Sequence, residues 1–259
     1  MPKRVLAFDL DGTLAPSKST LPPRMSAIFT EILKSFQVCV ISGGKFGQFD
    51  TQLLRGLSVG AEGLTKLHIM PTCGTQYYRY EIESDNWQQV YAENFSELEK
   101  KNIIAVVNEA IDNLGYREAH PYGEIIEDRG SQITFSALGQ DIVAQLGSEG
   151  VRLKEQWDPN HIKKNTLRDY IAEHLPECEV RVGGGTSIDI TQPGIDKAYG
   201  MRKLIEILGI QQQDILFFGD RLQVGGNDYP VREMGITSLE VGDWEDTAAR
   251  LETILALVQ

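Results

Sequence analysis

The sequence predicts an α/β chain: a doubly wound, Rossmann-like parallel-sheet core with a smaller α+β domain inserted into it. Three observations carry this reading. Short, continuous apolar strands alternate with helical spacing at both ends of the chain, the pattern of parallel strands joined by right-handed crossovers. The middle of the chain switches to alternating strands that pair locally. The length, 259 residues, is more than one simple domain needs and too little for three.

Arg4 to Leu10, with the run VLAFDL, reads as a buried strand. After a Pro- and Ser-rich loop, Met25, Ile28, Phe29, Ile32, Leu33 and Phe36 fall at helical spacing. VCVIS is a second strand, the stretch through Phe46, Phe49, Leu53 and Leu54 a helix, and LHIMP a third strand. The segment from Tyr77 to Trp87 then alternates as one half-exposed antiparallel strand. A helix is expected from about Phe95 to Leu114, strands at EIIED and SQITFSAL, a polar helix from about Asn160 to His174, and strands at VRV and SIDIT. The parallel style returns with a helix from Lys197 to Leu208, the strands ILFFGD and ITSLEV, and a closing helix from Trp244 to Leu257. The core is therefore expected at residues 1–78 and 190–259, with the insertion at 79–189. Gly183-Gly184-Gly185, near the second boundary, is the expected hinge.

The net charge is −12, from 37 acidic and 25 basic residues, so nothing broad attracts nucleic acid or an anionic membrane. A small anion would need a metal or a few local cations. Cys39, Cys73 and Cys178 show no metal-ligand spacing, and Cys39 sits in an apolar run. The N-terminus has no apolar signal region and no run reaches transmembrane length. A soluble, cytoplasmic protein is expected.

Four segments carry chemistry. Asp9-Leu10-Asp11-Gly12-Thr13 ends the first strand, at the sheet edge where ligands bind in open α/β sheets. Strand alternation puts Asp9 and Asp11 on one face, where two carboxylates repel unless a cation or shared proton separates them. Mg²⁺, which prefers oxygen ligands, would do so. One carboxylate can then attack phosphorus while the other shuttles a proton. Ser42 ends the next strand before Gly43 and Gly44, and its hydroxyl and the turn amides suit phosphate oxygens. Lys197 opens a helix, where a cation is disfavoured by the helix dipole, a mismatch that hints at an anion nearby. Asp220 and Asp228 flank a Gly-Gly loop after the strand FFGD and are placed to complete a metal shell with Asp9.

Taken together, DxDGT, Ser, Lys and GD-x4-GGND in this order resemble the haloacid dehalogenase-like phosphotransferases, from Asp9 to Asp228. The resemblance implies Asp9 as nucleophile and Asp11 as general acid/base, its main-chain carbonyl also reaching the metal. It implies Ser42, Gly43 and Lys197 around the transferring phosphoryl group, and Mg²⁺ held by Asp9, Asp11, Asp220 and Asp228, with Asn227 orienting its neighbours. The insertion falls where that superfamily carries a large α/β cap that closes over the substrate and sets specificity.

Within the superfamily the chain is most similar to eukaryotic-type phosphomannomutases and related sugar-phosphate phosphatases. PGIDK resembles the lysine segment of the mutases, and RVGGGTSIDI their cap return, where Ser187 and Asp189 fill the sugar-phosphate positions. DRGSQITFSALGQ resembles the strand pair with a phosphate-binding Arg, here Arg129. Two further mutase arginines are missing: Gln140 stands at one position and Val151 at the other, with Arg152 and Lys154 close by. A mutase must grip a bisphosphate at both ends, and Gln does not replace Arg in that task. The expectation is a Mg²⁺-dependent phosphatase acting on a small phosphorylated substrate, with a phosphomannomutase or phosphoglucomutase as the alternative. A monomer or a cap-mediated homodimer is expected.

Overall fold

The computed structural model describes residues 3–258 and divides into two compact units, one running to Ala92 and resuming at Asp196, the other Glu93–Ile195. The first unit begins with β1 (Val5–Phe8), α1 (Pro23–Ser35), β2 (Gln37–Ile41), α2 (Phe46–Gln52), α3 (Ala61–Leu64), β3 (Leu67–Met70), β4 (Gln76–Glu81) and β5 (Asn86–Ala92). The second holds α4 (Glu97–Asn113), β6 (Ile126–Asp128), β7 (Gln132–Ser136), α5 (Ile142–Leu146), α6 (Ser148–Trp157), α7 (Ile162–His174), β8 (Glu179–Val182) and β9 (Ser187–Thr191). The chain then returns to the first unit with α8 (Lys197–Leu208), β10 (Ile215–Gly219), α9 (Tyr229–Glu233), β11 (Thr237–Glu240) and α10 (Trp244–Val258).

The first unit's sheet runs β11-β10-β1-β2-β3-β4-β5, parallel from β11 to β3 and antiparallel at β4 and β5. Its central strands are apolar throughout because helices cover both faces. Leu6, Phe8, Val38, Val40, Ile69 and Phe218 pack with α1 and α10 on one face. Val5, Ala7, Cys39, Ile41, Met70 and Phe217 pack with α8 on the other. This is strand alternation read twice. Phe8 stacks on Phe218 with ring centroids 4.9 Å apart; deleting one such core ring typically costs about 3–5 kcal/mol.

One contact between main chains fixes where α8 lies. Gly74 has φ +87, and a Cβ there would stand 2.4 Å from the Cα of Gly200 on α8. A Cβ on Gly200 would stand 2.7 Å from the carbonyl of Cys73. Neither position has room for a larger residue.

His68 on β3 is fully buried. Its Nε2–H donates to Gln37 Oε1 at 2.9 Å, so the neutral ring accepts the Tyr77 hydroxyl at Nδ1, 2.7 Å away. Burial, and then the Arg79 charge, push its pKa down to about 3. A base with a lowered folded pKa stabilises the fold above the unfolded value, about 6.5. That stability is lost as pH falls from there toward 3. Below about pH 6 the group is expected to cost up to ~1.4 kcal/mol for each pH unit. Urea unfolding at pH 7.5, 6 and 5 should show a shallower acid slope for His68→Gln than for the native chain; equal slopes would exclude His68 as the group responsible.

The second unit is an antiparallel sheet, β6-β7-β9-β8, with α4 and α7 on one face. Ile133, Phe135, Ile188 and Ile190 meet Ile103, Val107, Leu167 and Ile171 there. The alternate residues Gln132, Thr134, Ser136, Ser187 and Asp189 form the opposite, polar face. α4 starts in a capping box, with Ser96 and Glu99 satisfying each other's main-chain amides.

Three expectations are corrected. The Tyr77–Trp87 segment is two strands, β4 and β5, joined by a turn with Asp85 at φ 50. Because β4 pairs with β3, both strands belong to the first unit. The units therefore divide at Ala92/Glu93 and Ile195/Asp196, not at 78/79 and 189/190. Gly183–Gly185 is no hinge: it is the tight turn between β8 and β9, closed by Gly183 N to Ser187 O at 2.8 Å. α5 and α6 lie where no element was expected. No described helix is long and apolar enough to cross a membrane.

Candidate active site

Register gathers the site. β1 lies between β2 and β10 with Phe8 opposite Val40 and Phe218, so Asp9, Ser42 and Asp220 all leave neighbouring strands at one edge. Asp9 is 3% exposed and Asp228 0%. One carboxylate oxygen from each of Asp9, Asp220 and Asp228 falls within 4.8 Å of the others. Gly12 makes this possible: its φ is +83, and a Cβ there would lie 2.6 Å from Asp220 Oδ2.

Lys197, at the first position of α8 and 1% exposed, puts Nζ 2.6 Å from both Asp9 Oδ1 and Asp228 Oδ1. This resolves the mismatch with the helix dipole: the negative charge near Lys197 is supplied by two carboxylates, Asp9 just past β1 and Asp228 at the start of α9. Burial works against the ammonium, but Asp228 and Asp9 outweigh it and hold the pKa of Lys197 above the ordinary lysine value. Asp228 is committed on both sides, taking Lys197 on Oδ1 and the main-chain N–H of Arg221 on Oδ2 at 3.0 Å. It holds Lys197 in place.

Burial pushes the pKa of Asp9 up to about 8; Asp228 and Asp220 push the same way, and Lys197 opposes them. Asp220 is raised too, by burial first and then by Asp228. Asp220 Oδ1 is buried with no hydrogen-bond partner. A buried, unpartnered carboxylate oxygen beside another desolvated carboxylate is a donor set for a hard divalent cation. The residues therefore fit a metal between Asp9 and Asp220.

Asp11 is not part of this trio. β1 ends at Phe8, so strand alternation does not carry on to Asp11, and its carboxylate accepts from Lys18 N at 2.7 Å, Gln48 Nε2 at 2.8 Å and Gln52 Nε2 at 3.3 Å. Gln48 also donates to Gln52 Oε1 at 2.9 Å, so α2 presents a paired-amide cradle that the motifs did not reveal. The only sequence trace is two glutamines four apart on one helix face. Ser42 is 6% exposed and its Oγ accepts from Gly44 N at 3.3 Å. Asn227 is exposed on its loop, next to Asp228.

In the second unit, Ser187 and Asp189 sit on β9 opposite Ser136 and Thr134. Asp189 Oδ1 accepts from Gln132 Nε2 at 2.9 Å and Thr134 Oγ1 at 2.8 Å. Arg129 Nε pairs with Glu127 at 2.7 Å. Gln140 Nε2 approaches Thr134 O at 3.5 Å, beside the same polar face. Arg152 is paired with Glu149 on the exposed side of α6. Two lysines gather at the β8–β9 turn instead. Lys164, 3% exposed, reaches Gly184 O at 3.4 Å, and Lys154 packs over Gly185.

A sequence profile described as haloacid dehalogenase-like hydrolase matches residues 6–231. The chain is 26% identical over 263 residues to a phosphomannomutase of Schizosaccharomyces pombe, covering 98% of this chain and 95% of that protein. It is 24% identical over 237 residues to a phosphomannomutase of Dendrobium officinale, covering 90% and 86%. Its fold matches the IMP-bound IMP-nucleotidase of Plasmodium falciparum with a TM-score of 0.68 at 16% identity, over 98% of this chain and 68% of that one.

Proposed function

The chain belongs to the haloacid dehalogenase-like hydrolases, and from that premise we propose that it is a Mg²⁺-dependent phosphatase. It would hydrolyse a small phosphate ester, foremost a sugar phosphate, through a phospho-aspartate on Asp9. The observation that carries this reading is a buried Asp9 held 2.6 Å from a buried Lys197, with the unpartnered oxygen of Asp220 alongside.

A bound Mg²⁺, held by Asp9 and Asp220, would supply positive charge against the phosphoryl oxygens and the desolvated carboxylates. The chain's own groups do the rest. A carboxylate oxygen of Asp9 attacks phosphorus and the ester P–O bond breaks. Asp11, oriented by Gln48 and Gln52, gives a proton to the leaving oxygen. It then takes one from the water that attacks the phospho-aspartate, releasing orthophosphate and restoring Asp9. Lys197, Ser42 and the Gly43 amide offset charge on the transferring group.

The second reading is a sugar phosphomutase. The relatives carry that name, and Lys154 and Lys164 at the β8–β9 turn supply cations near Ser187. Against it stand Gln140 in place of an arginine and Arg152 engaged by Glu149. The three free cysteines support a reducing, cytoplasmic setting.

The test is ³¹P NMR of the protein with Mg²⁺ and mannose 1-phosphate, with and without glucose 1,6-bisphosphate. Orthophosphate release without isomerisation is the expected result. Mannose 6-phosphate appearing only with the bisphosphate would establish the mutase instead.

A further inference from the structure

The sheet edge opposite the acids holds a second group of cations. A cavity of about 260 Å³ opens there, lined by Arg4, Val5, Gln37, Arg79, Leu208 and Ile210. Arg4 precedes β1, Gln37 opens β2 and pairs with Val5, and Arg79 stands on β4 opposite His68. Asp9 lies five positions after Arg4, so the two edges lie about 17 Å apart along the strand.

The arginines of this cavity differ from most others in the molecule. Arg24, Arg55, Arg117, Arg152 and Arg250 each bind an Asp or Glu. Among the described residues Arg4 and Arg79 bind none, in a chain with 37 acids and a net charge of −12. Arg79 donates one bond, from Nη2 to Thr65 O at 2.9 Å, while its Nε is buried with no partner. A buried donor left unsatisfied is costly and calls for an acceptor. Gln37 adds a third donor: its Oε1 is occupied by His68, which leaves its Nε2–H₂ to donate. Val5, Leu208 and Ile210 supply an apolar wall.

We propose that this cavity binds a small oxyanion, a phosphate or a carboxylate, gripped by Arg4 and Arg79 with the Gln37 amide as third donor. Guanidinium groups recognise both anions through paired N–H donors, and the volume admits the anionic head and a few carbons. The site is separate from the acid-lined edge and does not depend on the reaction proposed there.

Calorimetric titration of the full chain, stripped of divalent cations with EDTA, tests it. Orthophosphate and succinate are the two probes, used separately. One-to-one binding of either is expected, weakened at least about tenfold in Arg79→Gln and in Arg4→Gln. The second variant changes an exposed side chain and should leave the melting temperature unaltered, so loss of binding cannot be blamed on unfolding. Binding of orthophosphate alone assigns a phosphate site, and binding of succinate alone a carboxylate site. Failure of both probes at millimolar concentration, or equal binding by native chain and variants, overturns the proposal.

Discussion

Replacing Asp9 by Asn is expected to lower turnover by about 10⁴-fold or more while leaving the protein folded. The amide has nearly the volume of the carboxylate, so the packing around a 3% exposed side chain survives. It still accepts a hydrogen bond from Lys197, and Lys197 keeps Asp228 as its ionic partner. What disappears is the proposed nucleophile and one carboxylate that would hold the metal. Two measurements separate these. Rapid quench with radiolabelled phosphate ester should trap a phosphoenzyme in the native chain and none in Asp9→Asn. Circular dichroism should show the same fold. A trapped adduct or retained turnover in the variant would remove Asp9 from the chemistry.

Lys197→Met is expected to destabilise the protein as much as the loss of a core ring. The ammonium is 1% exposed and serves two carboxylates that are themselves buried. Removing one partner of a buried ion pair leaves uncompensated charge and costs about 3–5 kcal/mol, roughly 10 °C in melting temperature for a chain of this size. Activity should fall about 10²–10³-fold as well, since a cation facing the transferring group is lost. Adding Asp228→Asn removes one of the stranded charges and should restore part of the melting temperature without restoring activity. If Lys197→Met melts within 2 °C or so of the native chain, the ammonium does not hold the trio together.

Much of this was legible in the residues. VLAF and ILFFG read as central strands because both faces of such a strand must be apolar, and that requirement leaves an unbroken run. Asp9, Ser42 and Asp220 read as one site because parallel strands deliver their C-terminal ends to one edge. Side-chain direction past that edge was not legible. β1 ends at Phe8, before either acid, and Asp11 turns to Gln48 and Gln52 on a helix whose glutamines look like ordinary surface residues. The β4–β5 hairpin was hidden because both strands alternate in the same style, so its turn interrupts no pattern. The domain boundary moved with it, since pairing to β3 and not composition decides membership. Lys164 gave no local signal: its position is set by the β8–β9 turn, twenty residues further along the chain.

The Gly74–Gly200 contact reaches beyond packing. Gly200 lies one helical turn after Lys197, and its Cα fills the space a Gly74 side chain would need. A methyl at either position must push α8 away from the loop by a good fraction of an ångström, and the ammonium travels with the helix. A hydrogen bond of 2.6 Å to each of two carboxylates does not survive such a shift. Two residues with no functional group therefore set the reach of the Lys197 ammonium. Alanine at either position is therefore expected to loosen both ion pairs of Lys197, although no charged group is altered.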